Sequence, residues 1–130
     1  MEDVIMLGNF EAVATIAVKD IGVATDFYEQ TLGLSRIPTS ERGVQMFKSG
    51  NSRILVYKSD YAGTNKATAA TWSIDGDIKQ AVVGLAAKGV RFEHYDLPGT
   101  TLDGDVHITG TIKAAWCKDP DGNILALVSA

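Results

Sequence analysis

Val13-Ala-Thr-Ile-Ala-Val-Lys-Asp-Ile-Gly-Val-Ala-Thr-Asp-Phe-Tyr-Glu-Gln-Thr-Leu-Gly33 is the stretch whose reading decides the fold. Its first part, Val13 to Val18, is a run of small and β-branched residues and reads as a strand. Asp20 follows, a residue whose carboxylate suits the exposed N–H groups of a helix start. The period then changes, because Ile21, Ala24, Phe27, Tyr28 and Leu32 recur at helical spacing. Gly33 supplies the left-handed residue that ends a helix.

Working outward, the same order is written a second time. Thr71 to Ile74 reads as a strand, Asp77 as the cap, and Ile78, Ala81, Val82 and Leu85 as one helical face, with Gly89 after it. Ile16 to Trp72 is 56 positions and Asp20 to Asp77 is 57, so one extra residue, read as Gly76, sits in the second copy. Each half closes with a hairpin. Met46 to Tyr57 lies over Trp116 to Leu127 at an offset of 70, with Ser-Gly-Asn-Ser and Asp-Pro-Asp-Gly-Asn as the turns. The segment Glu93 to Thr111, rich in Gly, Thr and Asp, absorbs the larger offset and reads as a mobile or ligand-covering loop around a short strand.

Composition bounds the function. The 130 residues fit one domain spanning 1–130, with a first module over about 11–60 and a second over about 67–130. With 45% apolar and 22% charged residues the chain is of ordinary globular type, and no run approaches the roughly 18 apolar residues of a membrane helix. Glu2 and Asp3 stand where an export signal would be basic, so a cytoplasmic location is expected. The single Cys117 has no internal disulfide partner and agrees with a reducing compartment. The net charge is −4, with Lys and Arg scattered singly, so neither nucleic acid nor membrane is an expected partner.

Val18-Lys-Asp-Ile, Asp26-Phe-Tyr-Glu-Gln-Thr-Leu-Gly-Leu34 and Trp116-Cys-Lys-Asp-Pro-Asp-Gly-Asn-Ile-Leu125, with the duplication, resemble the glyoxalase/bleomycin-resistance/dioxygenase (vicinal-oxygen-chelate) superfamily. The resemblance implies an α+β fold in which two βαβββ modules curl into a cup, and a homodimer that covers the open sheet edges. It also implies a divalent-ion site in the enzymatic members, built from one His, Gln or Glu on the first and last strand of each module. The corresponding positions here are Val13, Val56, Ala69 (or Ala70) and Ala126. Aliphatic side chains carry no lone pairs, so no metal and no cofactor is expected, and the lyase, isomerase and ring-cleaving chemistries that need the ion are disfavoured.

Strand alternation, combined with the cup implied by the resemblance, assigns Val13, Thr15, Ile54, Val56, Ala69, Thr71 and Ala126 to the pocket, with Trp116 on either the wall or the core. Trp72, Phe27 and Tyr28 read as core, and Cys117 as a buried thiol rather than a nucleophile. His94 and His107 with Asp96, Asp103 or Asp105 offer an off-pattern ligand set, but without paired-ligand spacing they read as a solvated polar cluster. No phosphate loop, G-x-S-x-G or C-x-x-C occurs. The sequence points to a metal-free protein similar to the bleomycin-resistance branch, binding a small organic molecule, for example an antibiotic, in an apolar cup. Two other readings stay open: a superfamily enzyme with an atypical site, and a non-catalytic regulatory dimer.

Overall fold

The structure is a computed structural model that describes residues 6–129; the terminal Glu2 and Asp3 and the last residue of the expected domain lie outside the described residues. Strand β1 (Ala14–Val18) runs into α1 (Ile21–Asp26), which begins where Asp20 accepts a hydrogen bond from Val23 N at 3.0 Å. The helix does not stay regular to its end. Residues Phe27–Thr31 form a π-helical turn, closed by Leu32 N donating to Phe27 O at 3.0 Å, and Gly33 leaves it at φ 80°. Strands β2 (Ser35–Ile37), β3 (Val44–Ser49) and β4 (Ser52–Lys58) complete the first module.

The second module opens with β5 (Thr68–Ser73) and α2 (Ile78–Ala87), capped as the sequence implies by Asp77 accepting from Lys79 N and Gln80 N. After β6 (Phe92–Glu93), where the sequence suggests a long loop around one short strand, the chain forms two: β7 (Thr101–Asp103) and β8 (Val106–Thr109). Strands β9 (Ile112–Lys118) and β10 (Ile124–Ser129) end the module. The hairpins β7–β8 and β8–β9 each turn over two residues, and their first turn residues, Gly104 and Gly110, sit at φ 62° and 59°.

The first sheet has the order β1-β4-β3-β2 and the second β5-β10-β9-β8-β7, with β6 also on β9. In both, the first strand pairs in parallel with the last. This is the expected α+β fold of two modules, the first βαβββ and the second the same plan with two further strands. The helix-side faces of both sheets share a core that includes Ile16, Val18, Tyr28, Phe47, Val56, Cys117 and Leu125. Ile78 and Val82 of α2 bury Val106, Ala115 and Leu127 in a second cluster. The faces turned away from the helices are those that the superfamily resemblance assigns to the cup.

The register corrects two residues expected in the pocket. Ala14 pairs with Ile54 and Ile16 with Val56, and paired residues share a face. Ile54 and Val56 are therefore core residues, 5% and 0% exposed, and the cup side of β4 carries Leu55 and Tyr57. The cause is turn length. Four residues separate Lys48 from its partner Arg53, whereas five separate Lys118 from Ile124. The offset of 70 holds for β3 and β9 but becomes 71 on β4 and β10, and a one-residue slip moves every side chain to the other face.

The longer second turn also locks the modules together. Asp119 is 5% exposed, and its Oδ1 accepts from Asp121 N (2.9 Å) and Asn123 N (2.8 Å). Its Oδ2 accepts from Tyr28 Oη (2.9 Å) and Asn123 Nδ2 (2.8 Å), and that amide also donates to Ala17 O of β1 (2.8 Å). Burial, and then the charge of Asp119, push the Tyr28 phenol well above its usual range, so it stays a donor. Gly63 packs on the same turn at φ 73°, so close that an added Cβ would collide with Asp121 O. No helix among the described residues is long and apolar enough to cross a membrane.

Candidate functional site

On the cup side, alternation along β1 presents Val13 just before the strand, then Thr15, with the hydroxyl of Thr15 donating to Val13 O at 3.1 Å. Val13 is 36% exposed and Thr15 is exposed, while Ile16 and Val18 fill the core. In the second module Thr71 pairs with Ala126, and Ala126 with Trp116, so these three share the cup face, whereas Ala69 sits unpaired at the register shift of β5 and packs against the core. Ala126 is buried, Thr71 exposed, and Ala69 and Trp116 half-buried. Lys118, not Asp119, pairs across the turn, which settles the face of Trp116.

Trp116 stands in an aromatic corner. His107, on neighbouring β8, meets it edge-on with ring centroids 4.9 Å apart, and Tyr95 from the β6–β7 connection meets it at 5.3 Å. Edge-to-face rings on two sides brace the indole. His107 is 2% exposed and accepts a hydrogen bond from Tyr95 N at Nε2 (2.9 Å). Its neutral ring therefore carries hydrogen on Nδ1, a buried donor that meets no partner among the described residues. His94, 6.2 Å from His107 between centroids, is exposed and pairs with Asp105 Oδ1 at 2.7 Å.

The residues do not fit a metal ion. With the register corrected, the corresponding positions are Val13, Leu55, Ala69 and Ala126, whose side chains have no lone pair to give. The off-pattern set does not converge either. Asp103 pairs with Lys79 at 3.0 Å, His94 with Asp105, and His107 Nε2 is occupied by a backbone N–H. Among the described residues no three His, Cys, Asp or Glu side chains are grouped to hold an ion.

On the opposite, helix-covered side of the second sheet, an apolar cavity of about 380 Å³ opens between the end of the π-helical turn and α2. Its floor is Trp72, Cys117, Leu125 and Leu127, and its walls include Leu32, Leu34 and Leu85. Trp72 is the half-buried, helix-side residue that the sequence implies, and its Nε1 donates to Ser49 Oγ at 2.9 Å. Burial pushes the Cys117 thiol up to about 11, which makes it a poor nucleophile at neutral pH. Gly84, in the middle of α2, lines this cavity, although glycine inside a helix costs about 1 kcal/mol relative to alanine.

Sequence reasoning missed Leu55 and Tyr57 on the cup side, Tyr95 at the aromatic corner, and the helix-side cavity. The extra residue in the second turn was the available signal for the first two. Nothing in periodicity marks Tyr95, whose place depends on the path between β6 and β7.

The model of the Glyoxalase/Bleomycin resistance protein/Dioxygenase superfamily matches residues 11–127. Among solved structures, a genomically encoded fosfomycin resistance protein from Listeria monocytogenes superposes with TM-score 0.70 at 14% identity, covering 93% of each chain. Lactoylglutathione lyase from Agrobacterium tumefaciens gives 0.68 at 15% identity, again with 93% of each chain covered. An integron cassette protein from the mobile metagenome of the Halifax Harbour sewage outfall gives 0.69 at 15%, covering 91% of this chain and 96% of its own. No curated protein matches the sequence.

Proposed function

The chain belongs to the Glyoxalase/Bleomycin resistance protein/Dioxygenase superfamily, and from that membership we propose that it is a metal-independent binding protein that holds a small organic molecule, such as an antibiotic, in its cup. The observation that carries this reading is the fixed aromatic corner of Trp116, His107 and Tyr95 beside four aliphatic side chains at the positions where an ion would be held. An apolar surface with one braced aromatic and a few hydroxyls, Thr15 and Thr71, suits stacking and shape selection rather than Lewis-acid chemistry. We further read the working form as a cytoplasmic homodimer. Val13 and Tyr57 lie at the open edge of the cup at 36% and 37% exposure, and Leu7 and Phe10 just ahead of β1 are also exposed, a set of apolar side chains that a second copy would cover.

The test uses the two tryptophans as separate reporters. In a Trp72→Phe variant, Trp116 alone emits, and a panel of aromatic antibiotics is titrated with and without EDTA. Saturable quenching unchanged by EDTA, and a loss of at least tenfold in affinity for Trp116→Ala measured by titration calorimetry, are the expected results. Binding that needs a divalent ion, or no saturable response from any compound, overturns the proposal. A second reading, a metal-independent enzyme, is favoured by His94, whose imidazole is held by Asp105 at the edge of the same corner as a general base would be. Turnover abolished by His94→Ala with ligand binding retained would select it.

A further inference from the structure

The cavity between the π-helical turn and α2 lies on the far side of the sheet from the cup: Leu125 and Leu127 line it, whereas Ala126 between them faces the cup. Nothing about the cup explains it. Its volume, about 380 Å³, is within the size range of small-molecule sites and holds about 12 non-hydrogen atoms at ~30 Å³ each.

Two features show what would fit. Gly84 is not needed for its backbone, since it is absent from the glycines with positive φ, and not for packing, since a Cβ added there would meet nothing within 4 Å. A poor helix former with no role inside the chain keeps one wall of the cavity open. Lys88 is the charged residue on the lining, and its Nζ makes only a long contact, 3.5 Å, to Gln30 O. It is exposed and has no carboxylate partner among the described residues.

We propose that this cavity is a second binding site, separate from the cup, for a medium-chain amphiphilic carboxylate whose apolar body lies on Trp72, Leu125 and Leu127 against Gly84 while its carboxylate pairs with Lys88. An ammonium head would meet Lys88 with like charge, and a neutral head would forgo the charge-assisted hydrogen bond.

The experiment takes the whole chain with Trp116→Phe, so that Trp72 is the sole tryptophan, and titrates decanoate, decanol and decylamine below their self-association limits. Decanoate is expected to shift Trp72 emission saturably, decanol to bind at least tenfold more weakly, and decylamine not to bind. Gly84→Leu should abolish the decanoate response while leaving the thermal midpoint at or above that of the parent, because a glycine is removed from a helix and its space is empty. Lys88→Gln, a surface change that leaves packing intact, should bring decanoate down to the affinity of decanol. No saturable change with decanoate, wild-type binding by a folded Gly84→Leu, or unaltered decanoate affinity in Lys88→Gln would each overturn the proposal. Cup binding, read through Trp116 in the Trp72→Phe variant, is independent of all three results.

Discussion

Asp119→Ala is expected to destabilise the fold by about 3–5 kcal/mol, although the residue lies in a turn. The carboxylate accepts four hydrogen bonds, from Tyr28 Oη, Asn123 Nδ2 and the backbone N–H groups of Asp121 and Asn123. Asn123 Nδ2 keeps Ala17 O after the truncation, so its loss is partial. Tyr28 Oη does not have that reserve. Its ring is 0% exposed, and an orphaned buried donor costs about 1–3 kcal/mol by itself. Two backbone donors released from a charged acceptor bring the sum into the stated range, since bonds to charged groups contribute about 1.5–3 kcal/mol each and are not additive. Tyr28→Phe removes donor and acceptor need together on its side and leaves Asp119 three donors, so about 1–1.5 kcal/mol is expected. Urea unfolding of both single variants and the double variant measures the free energies and their coupling, which should be near 1 kcal/mol. An Asp119→Ala protein within 1 kcal/mol of the parent, or a Tyr28→Phe effect larger than that of Asp119→Ala, would refute the claim that this carboxylate joins the modules.

Gly63→Ala should cost more than 2 kcal/mol in the same assay, because the position has φ 73° and the added carbon would run into Asp121 O. Stability should fall with alkaline pH. The Cys117 thiol is raised from 9.0 to about 11, so the contribution is intact below pH 9, where both states are protonated, and is lost as pH rises through 11, about 3 kcal/mol in all; Cys117→Ala should remove that part of the slope between pH 9 and 11. Val13→His, Leu55→Glu, Ala69→His and Ala126→Glu together should create Ni²⁺ or Zn²⁺ binding that raises the thermal midpoint, whereas the same set with Val56→Glu in place of Leu55→Glu should bury a carboxylate in the core and unfold; equal behaviour of the two sets would contradict the register.

Much of the fold was legible because the signals were local. Asp20 and Asp77 cap helices, Gly33 and Gly89 follow them at positive φ, and the alternation along β1 places Ile16 and Val18 inside. The cup face of the second module followed from the same alternation at Thr71 and Ala126. Trp116 could not be placed from the sequence because the side of a strand depends on which residue pairs across the turn. The segment Glu93 to Thr111 was underestimated for a related reason. Gly104 and Gly110 open two-residue turns, and short polar strands such as Thr101–Asp103 carry too little apolar pattern to stand out from loop.

The misplacement of Val56 shows how function-bearing asymmetry arises in a duplicated fold. Phe47 and Cys117 remain equivalent core residues, and Met46 and Trp116 equivalent cup residues. After the turns the equivalence shifts by one, because Asp119 to Asn123 needs five residues to wrap backbone donors around a carboxylate, where Ser49 to Ser52 needs four. Opposite Met46 the cup receives Leu55, and opposite Trp116 it receives Ala126. A leucine beside a methionine closes its wall with flexible side chains, while a methyl beside an indole leaves the ring open. The residue that lets Asp119 clasp the first module stays within the turn and keeps the pairing of the two hairpins equivalent, so the difference between the walls comes from the side chains themselves, Trp116 over Ala126 on one and Met46 over Leu55 on the other.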